Sequence, residues 1–138
     1  MKVTRAMTLI AATVAAACAG TTAAHHSFAA AYDTSAEGAI EITGKIVNVR
    51  LTNPHSYFFL DVEGENGEVV RWSIEAGTPG GMLRNGYSPQ VIKEGDVVTI
   101  TGFRARDKSL PNGMLRQLVT ADGTVYGMFG PQEGPGAR

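Results

Sequence analysis

The chain has 138 residues, with 12 basic and 13 acidic side chains, three histidines and one cysteine. A net charge of −1 offers no basic surface to meet phosphates, which argues against nucleic acid as a partner. The length suits one small domain.

Residues 1–24 read as an export signal. Lys2 and Arg5 make a positive start, Ala6 to Ala19 is apolar and alanine-rich, and small residues continue to Ala24. This run is shorter than the ~20 residues of a membrane-spanning helix, and no later segment is apolar enough to span. Three processing sites compete. Cutting after Ala24 follows Thr22-Ala23-Ala24, cutting after Ala19 follows Ala17-Cys18-Ala19, and Ala15-Ala16-Ala17-Cys18 loosely resembles a lipobox without its usual leucine. The first is favoured, giving a periplasmic protein that begins at His25; a lipoprotein anchored through Cys18 is the alternative. The mature chain then carries ten basic residues against thirteen acidic, a net of −3, and no cysteine for a disulfide or a thiol ligand.

Residues 25–38 have no sustained period and read as an irregular lead-in, with Phe28 and Tyr32 available to pin it to the domain. From Ala39 the pattern is that of a strand. Ile40, Ile42, Gly44 and Ile46 share one parity, and Val47, Val49 and Leu51 take the other, so a bulge or sharp bend is expected where the phase switches. Ser56 to Glu63 places Phe58, Leu60 and Val62 on one face and Tyr57, Phe59 and Asp61 on the other. Gly64-Glu65-Asn66-Gly67 is a turn, and Val69 to Glu75 returns with Val70, Trp72 and Ile74 inward, completing a hairpin. Gly77 to Gly81 breaks the sheet, Met82-Leu83-Arg84 starts one helical turn, and Ser88-Pro89 opens another. Strands follow at Val97 to Arg104, Met114 to Thr120 and Val125 to Phe129, and residues 130–138 form a loose tail.

Three strands, a short helical connection and further strands predict an all-β fold, a small OB-like Greek-key barrel over residues 39–129. A small β-sandwich is the alternative.

Chemistry concentrates on the histidines, because imidazole is the commonest metal ligand and the usual proton carrier near neutral pH. His25 and His26 stand directly after the favoured cut. Cleavage there frees the α-amine of His25, which with its own ring chelates a copper-type ion; His55, in Thr52-Asn53-Pro54-His55, would complete a T-shaped set of nitrogens. Glu75, on the outward parity of its strand, could be an oxygen co-ligand or could orient a histidine. Each residue has a plainer reading. The histidine pair can be a polar, unstructured start, His55 an ordinary strand entry, and Glu75 a solvated strand end. Trp72 is most simply a core anchor. No phosphate loop, nucleophile elbow or cysteine nucleophile is present, so the residues favour binding over catalysis.

The motifs in combination resemble a known pattern. They are Ala24-His25-His26-Ser27-Phe28-Ala29, Thr43-Gly44, Thr52-Asn53-Pro54-His55, Trp72-Ser73-Ile74-Glu75, Leu83-Arg84-Asn85-Gly86, and Lys93 to Val98 with Thr101-Gly102. Together they resemble a family of small exported bacterial proteins of uncharacterised function. The resemblance runs to about Tyr126. It implies a periplasmic OB-like barrel whose mature part starts at or beside the histidine pair, and it supplies no activity, substrate or cofactor. Two readings follow. One is a periplasmic binding protein holding a copper ion through His25, His26 and His55, with Glu75 as partner. The other is a non-catalytic envelope module that binds a protein or small ligand through the face carrying Tyr57, Phe59 and Arg71.

Overall fold

Alternating side chains over Ala39–Arg50, Tyr57–Glu63 and Val69–Glu75 build the first three strands, β1, β2 and β3, of a computed structural model that describes residues 29–128. A six-residue helix, α1 (Pro79–Arg84), leads to β4 (Val97–Arg104), β5 (Asn112–Thr120) and β6 (Val125–Gly127). The expected export signal, the histidine pair, Phe28 and the tail lie outside the described residues. Among the described residues no helix is long and apolar enough to cross a membrane.

The strands form one sheet in the order β3-β2-β1-β4-β5-β6, each antiparallel to its neighbour in that order. A short parallel pairing of β3 with β5, Ser73 to Glu75 against Asn112 to Met114, brings five strands into a near-closed ring. This is the expected OB-like arrangement, although the ring stops short of a formal barrel. The sheet is one curved layer, not two stacked sheets.

The phase switch in β1 is real. Its register against β2 slips between Ile46 and Asn48. Before the slip Ile40, Ile42 and Ile46 meet the core, and after it Val49 and Leu51 do so. One strand therefore serves two parts of the ring. In the β2–β3 hairpin, Gly67 takes φ 78° and its N–H donates to Gly64 O at 2.9 Å, as the Asn-Gly pair predicts.

Phe58, Leu60, Trp72 and Ile74 fill the ring with Ile100, Leu115 and Leu118. Val70 departs from expectation, being 38% exposed. Its parity is right, but β5 pairs with β3 only from Ser73 onward, so nothing from that strand covers Val70.

The helix starts earlier than its sequence suggested. Thr78 caps it by accepting from the Gly81 N–H at 3.2 Å, and Pro79 occupies the first turn, where no backbone donor is needed. This connection closes one end of the ring with Met82, Tyr87 and Ile92, all buried. The Tyr87 hydroxyl donates to Tyr126 O at 2.7 Å, tying β6 to the same plug. Beside the end of β4, Tyr32, also buried, bridges to Ala105, and the Asp33 N–H donates to Arg104 O at 3.0 Å. Tyr32 thus pins the lead-in as expected.

Candidate functional site

Glu75 is the last residue of β3 and pairs on both sides, with Tyr57 of β2 and Met114 of β5. Its backbone is therefore fixed where the ring closes. Gly113 permits that closure. A Cβ there would stand 2.7 Å from Ile40 Cδ1, 3.1 Å from Phe103 O and 3.2 Å from Ile74 Cδ1, so a side chain would displace the end of Ile40 and crowd the Phe103 carbonyl.

His55 arrives from the loop between β1 and β2, directly after the cis Asn53–Pro54 bond. The ladder of β2 with β3 continues one step past the strands. The Ser56 N–H donates to Gly77 O at 2.9 Å, and the Ala76 N–H donates to Ser56 O at 2.8 Å. Those two bonds place His55 diagonally from Glu75, on the outer side that Tyr57 shares. Diagonal neighbours on one face of a sheet lie within reach of long side chains.

The contact is direct. His55 Nδ1 lies 2.5 Å from Glu75 Oε1. The other oxygen of the same carboxylate, Oε2, accepts from the Tyr32 hydroxyl at 2.5 Å. Both oxygens of Glu75 are thus engaged, one by each neighbour, and its side chain is only 18% exposed while that of His55 is 48% exposed. An N–H donates and a carboxylate accepts, so the contact is made by the tautomer that carries a proton on Nδ1. In that tautomer the ring's lone pair lies on Nε2, which has no hydrogen-bond partner among the described residues. The Tyr32 phenol is pushed well above the ordinary tyrosine range, first by burial and then by its bond to Glu75 and that group's charge. Burial and the charge of Glu75 also raise the Tyr57 phenol.

The outer face beside this cluster carries Tyr57 and Phe59, stacked with ring centroids 6.3 Å apart, and the Arg50 guanidinium 5.6 Å from the Phe59 centroid. Arg71 is committed across the strands. Its Nε and Nη2 donate to the two Asp61 oxygens at 2.8 and 3.0 Å, and this holds the Asp61 carboxyl below its usual range. A groove of about 280 Å³ lies elsewhere, against Val97, Thr120 and Tyr126, and an apolar notch of about 200 Å³ runs along Val49, Leu51 and Ile92. Neither is lined by His55.

Of the four expected ligands, His55 and Glu75 come together, while His25 and His26 lie outside the described residues. Among the described residues no three of His, Cys, Asp and Glu are grouped to hold a metal. Glu75 has the arrangement of a partner that orients His55. Sequence reasoning saw Tyr32 only as an anchor and missed its bond to Glu75, across 43 positions. No local pattern could have signalled it.

A family model, DUF6152, described as a family of unknown function, matches residues 12–114. His25, His26, Tyr32, His55 and Glu75 all fall inside that span. Among proteins with curated descriptions, none matches the chain.

Proposed function

We propose that this chain, which belongs to the DUF6152 family, is an exported binding protein that holds a copper-type ion in the periplasm. The ligands would be the α-amine and ring of His25 with the ring of His55, and His26 would flank them. The observation that supports the reading is the grip of Glu75 on His55 Nδ1, which leaves Nε2 as the ring nitrogen not held by the carboxylate, on a half-exposed side chain. Metal-binding histidines almost always donate their second ring nitrogen to a carboxylate or carbonyl in this way, which fixes the ring and makes the ligating nitrogen more basic. Three nitrogen donors favour Cu(II) over Ni(II) and Zn(II). The reading requires cleavage after Ala24, since a longer start removes the amine chelate.

Calorimetry of the chain beginning at His25, titrated with Cu(II), tests it. One ion per chain is expected, with binding reduced at least tenfold in His55→Ala and less in His26→Ala. Equal, weak binding by wild type and His55→Ala would overturn the reading.

A second reading has its own support. Tyr57, Phe59 and Arg50 form an aromatic and cationic strip beside His55. In OB-type barrels the face of strands 2 and 3, with the β1–β2 and β4–β5 loops, is where ligands are commonly held. On that basis the chain would be an envelope module for a protein or small ligand, and the histidines would only shape the surface. It would leave Cu(II) binding indifferent to His55.

A further inference from the structure

β3 pairs with β2 along its whole length, from Val69 opposite Glu63 to Glu75 opposite Tyr57, but with β5 only from Ser73 onward. Beside Val69, Val70 and Arg71 no further strand lies among the described residues, and all three are exposed. One bond gives the direction of their backbone groups. The Ser73 N–H donates to Pro111 O at 3.0 Å, on the side away from β2. Backbone groups alternate sides along a strand, so Arg71 and Val69 also turn their N–H and C=O away from β2, while those of Val70 belong to the β2 ladder. Exposed edges are commonly guarded by lysine, proline or an inward charge. This stretch has none of these. Its inward residue is Val70, and Arg71 is already bound by Asp61 of β2.

We infer that the free edge of β3 is an interface for a second copy of this chain, whose own β3 lies antiparallel to the first with Val70 at the centre of the joint. The inference is independent of the copper reading. In that register Val69 of each copy stands opposite Arg71 of the other, and the two exchange the backbone bonds that each leaves unmet. A register centred on Arg71 would instead set two guanidinium groups opposite each other, which is unfavourable. Val70 then meets its counterpart where side chains of an antiparallel pair stand closest. Because Val62 pairs with Val70 within each chain, an apolar row of four valines runs across the joint. One step further along, Glu68 of each copy arrives opposite Trp72 of the other. Trp72 carries the Arg104 guanidinium 5.2 Å from its ring centroid. The Nη2 of that group donates to Lys108 O, and its buried Nε has no hydrogen-bond partner among the described residues. Glu68 of the second copy brings a carboxylate to that cation, so charge as well as shape is complementary.

Sedimentation velocity of the purified chain, over a concentration series reaching the millimolar range, tests the inference. Wild type should pass from monomer to dimer. Val70→Lys sets two like charges face to face at the centre of the joint and should weaken the dimer at least about tenfold. Glu68→Lys replaces the charge that faces Arg104 with a like one and should weaken it about three- to tenfold. Leu83→Lys makes the same kind of change at an exposed apolar residue of α1, outside the joint, and should leave dimerisation as it is. Circular dichroism and melting temperature check that each variant folds, and if Val70→Lys does not, Glu68→Lys decides. Hydrogen exchange reads the geometry. The Val69 and Arg71 amides should slow as concentration rises, while the Val70 amide, bonded to β2 within its own chain, should not change. A wild type that stays monomeric throughout would overturn the inference and leave the edge to an extended segment of another protein. A dimer indifferent to Val70→Lys and Glu68→Lys, or weakened equally by Leu83→Lys, would overturn it too. So would a dimer whose Val69 and Arg71 amides exchange as fast as in the monomer.

Discussion

His55 and Glu75 stand 20 positions apart, yet Nδ1 of the one lies 2.5 Å from Oε1 of the other. Two backbone bonds between Ser56 and its neighbours Ala76 and Gly77 produce that meeting, because they carry the β2–β3 ladder one step beyond its last paired residues. Glu75 is immobile for a different reason, being paired on both sides where the ring closes. A loop residue and the end of a strand paired on both sides therefore share one contact.

Trp72 belongs to the core and carries the Arg104 guanidinium 5.2 Å from its ring centroid. Trp72→Ala should destabilise the fold by about 3–5 kcal/mol, the usual cost of emptying a buried aromatic site. Urea unfolding followed by circular dichroism measures it. A change under about 1 kcal/mol, ordinary for a surface position, would contradict its place in the ring.

Gly113→Ala should destabilise by about 1–3 kcal/mol, because the new methyl would overlap Ile40 and crowd Phe103 O and Ile74. Its local effect should be larger than its global one. Hydrogen exchange of the Ser73 amide, which donates to Pro111 O at the closure, is expected to quicken more than that of the β1–β4 ladder. Uniform exchange across the sheet would contradict the closure role.

Alkali should unfold the protein through its buried phenols. Tyr32 and Tyr87 are both raised, each first by burial. In the unfolded chain a phenol ionises near 10, so the stability these groups contribute is complete below about pH 10. It is lost as pH rises from there through the raised folded values. Absorbance titration of the four tyrosines should show late ionisation that coincides with loss of the sheet signal, and Tyr32→Phe should remove one late phenol. Full, early ionisation of every tyrosine in an intact fold would contradict the burial of both rings.

Much of the ring was legible because half-buried strands write their burial at a period of two. The β1 phase switch, the Asn66-Gly67 turn and the limits of β3 and β4 all came from local pattern. Val70 shows where parity stops. It faces inward, but its cover depends on how far a strand some 40 residues away extends beside it, which no alternation records. The start of α1 was written in Thr78-Pro79, a cap followed by a residue suited to a first turn, but Gly80-Gly81 made the stretch read as a break. At the site, Glu75 was legible as an outward residue that could orient a histidine. The share that Tyr32 takes in it was not, since that bond depends on the lead-in crossing the end of β4.

The central claim is that Glu75 fixes His55 with Nε2 presented to a metal. Nitrogen-15 NMR of the histidine rings tests it most directly, in the chain beginning at His25 and with sub-stoichiometric Cu(II) added. The account predicts that neutral His55 carries its proton on Nδ1, and that its ring signals broaden with the first additions of the ion, before those of exposed carboxylates. A His55 ring protonated on Nε2, or one whose signals are untouched by Cu(II) while the rest of the protein responds, would contradict it.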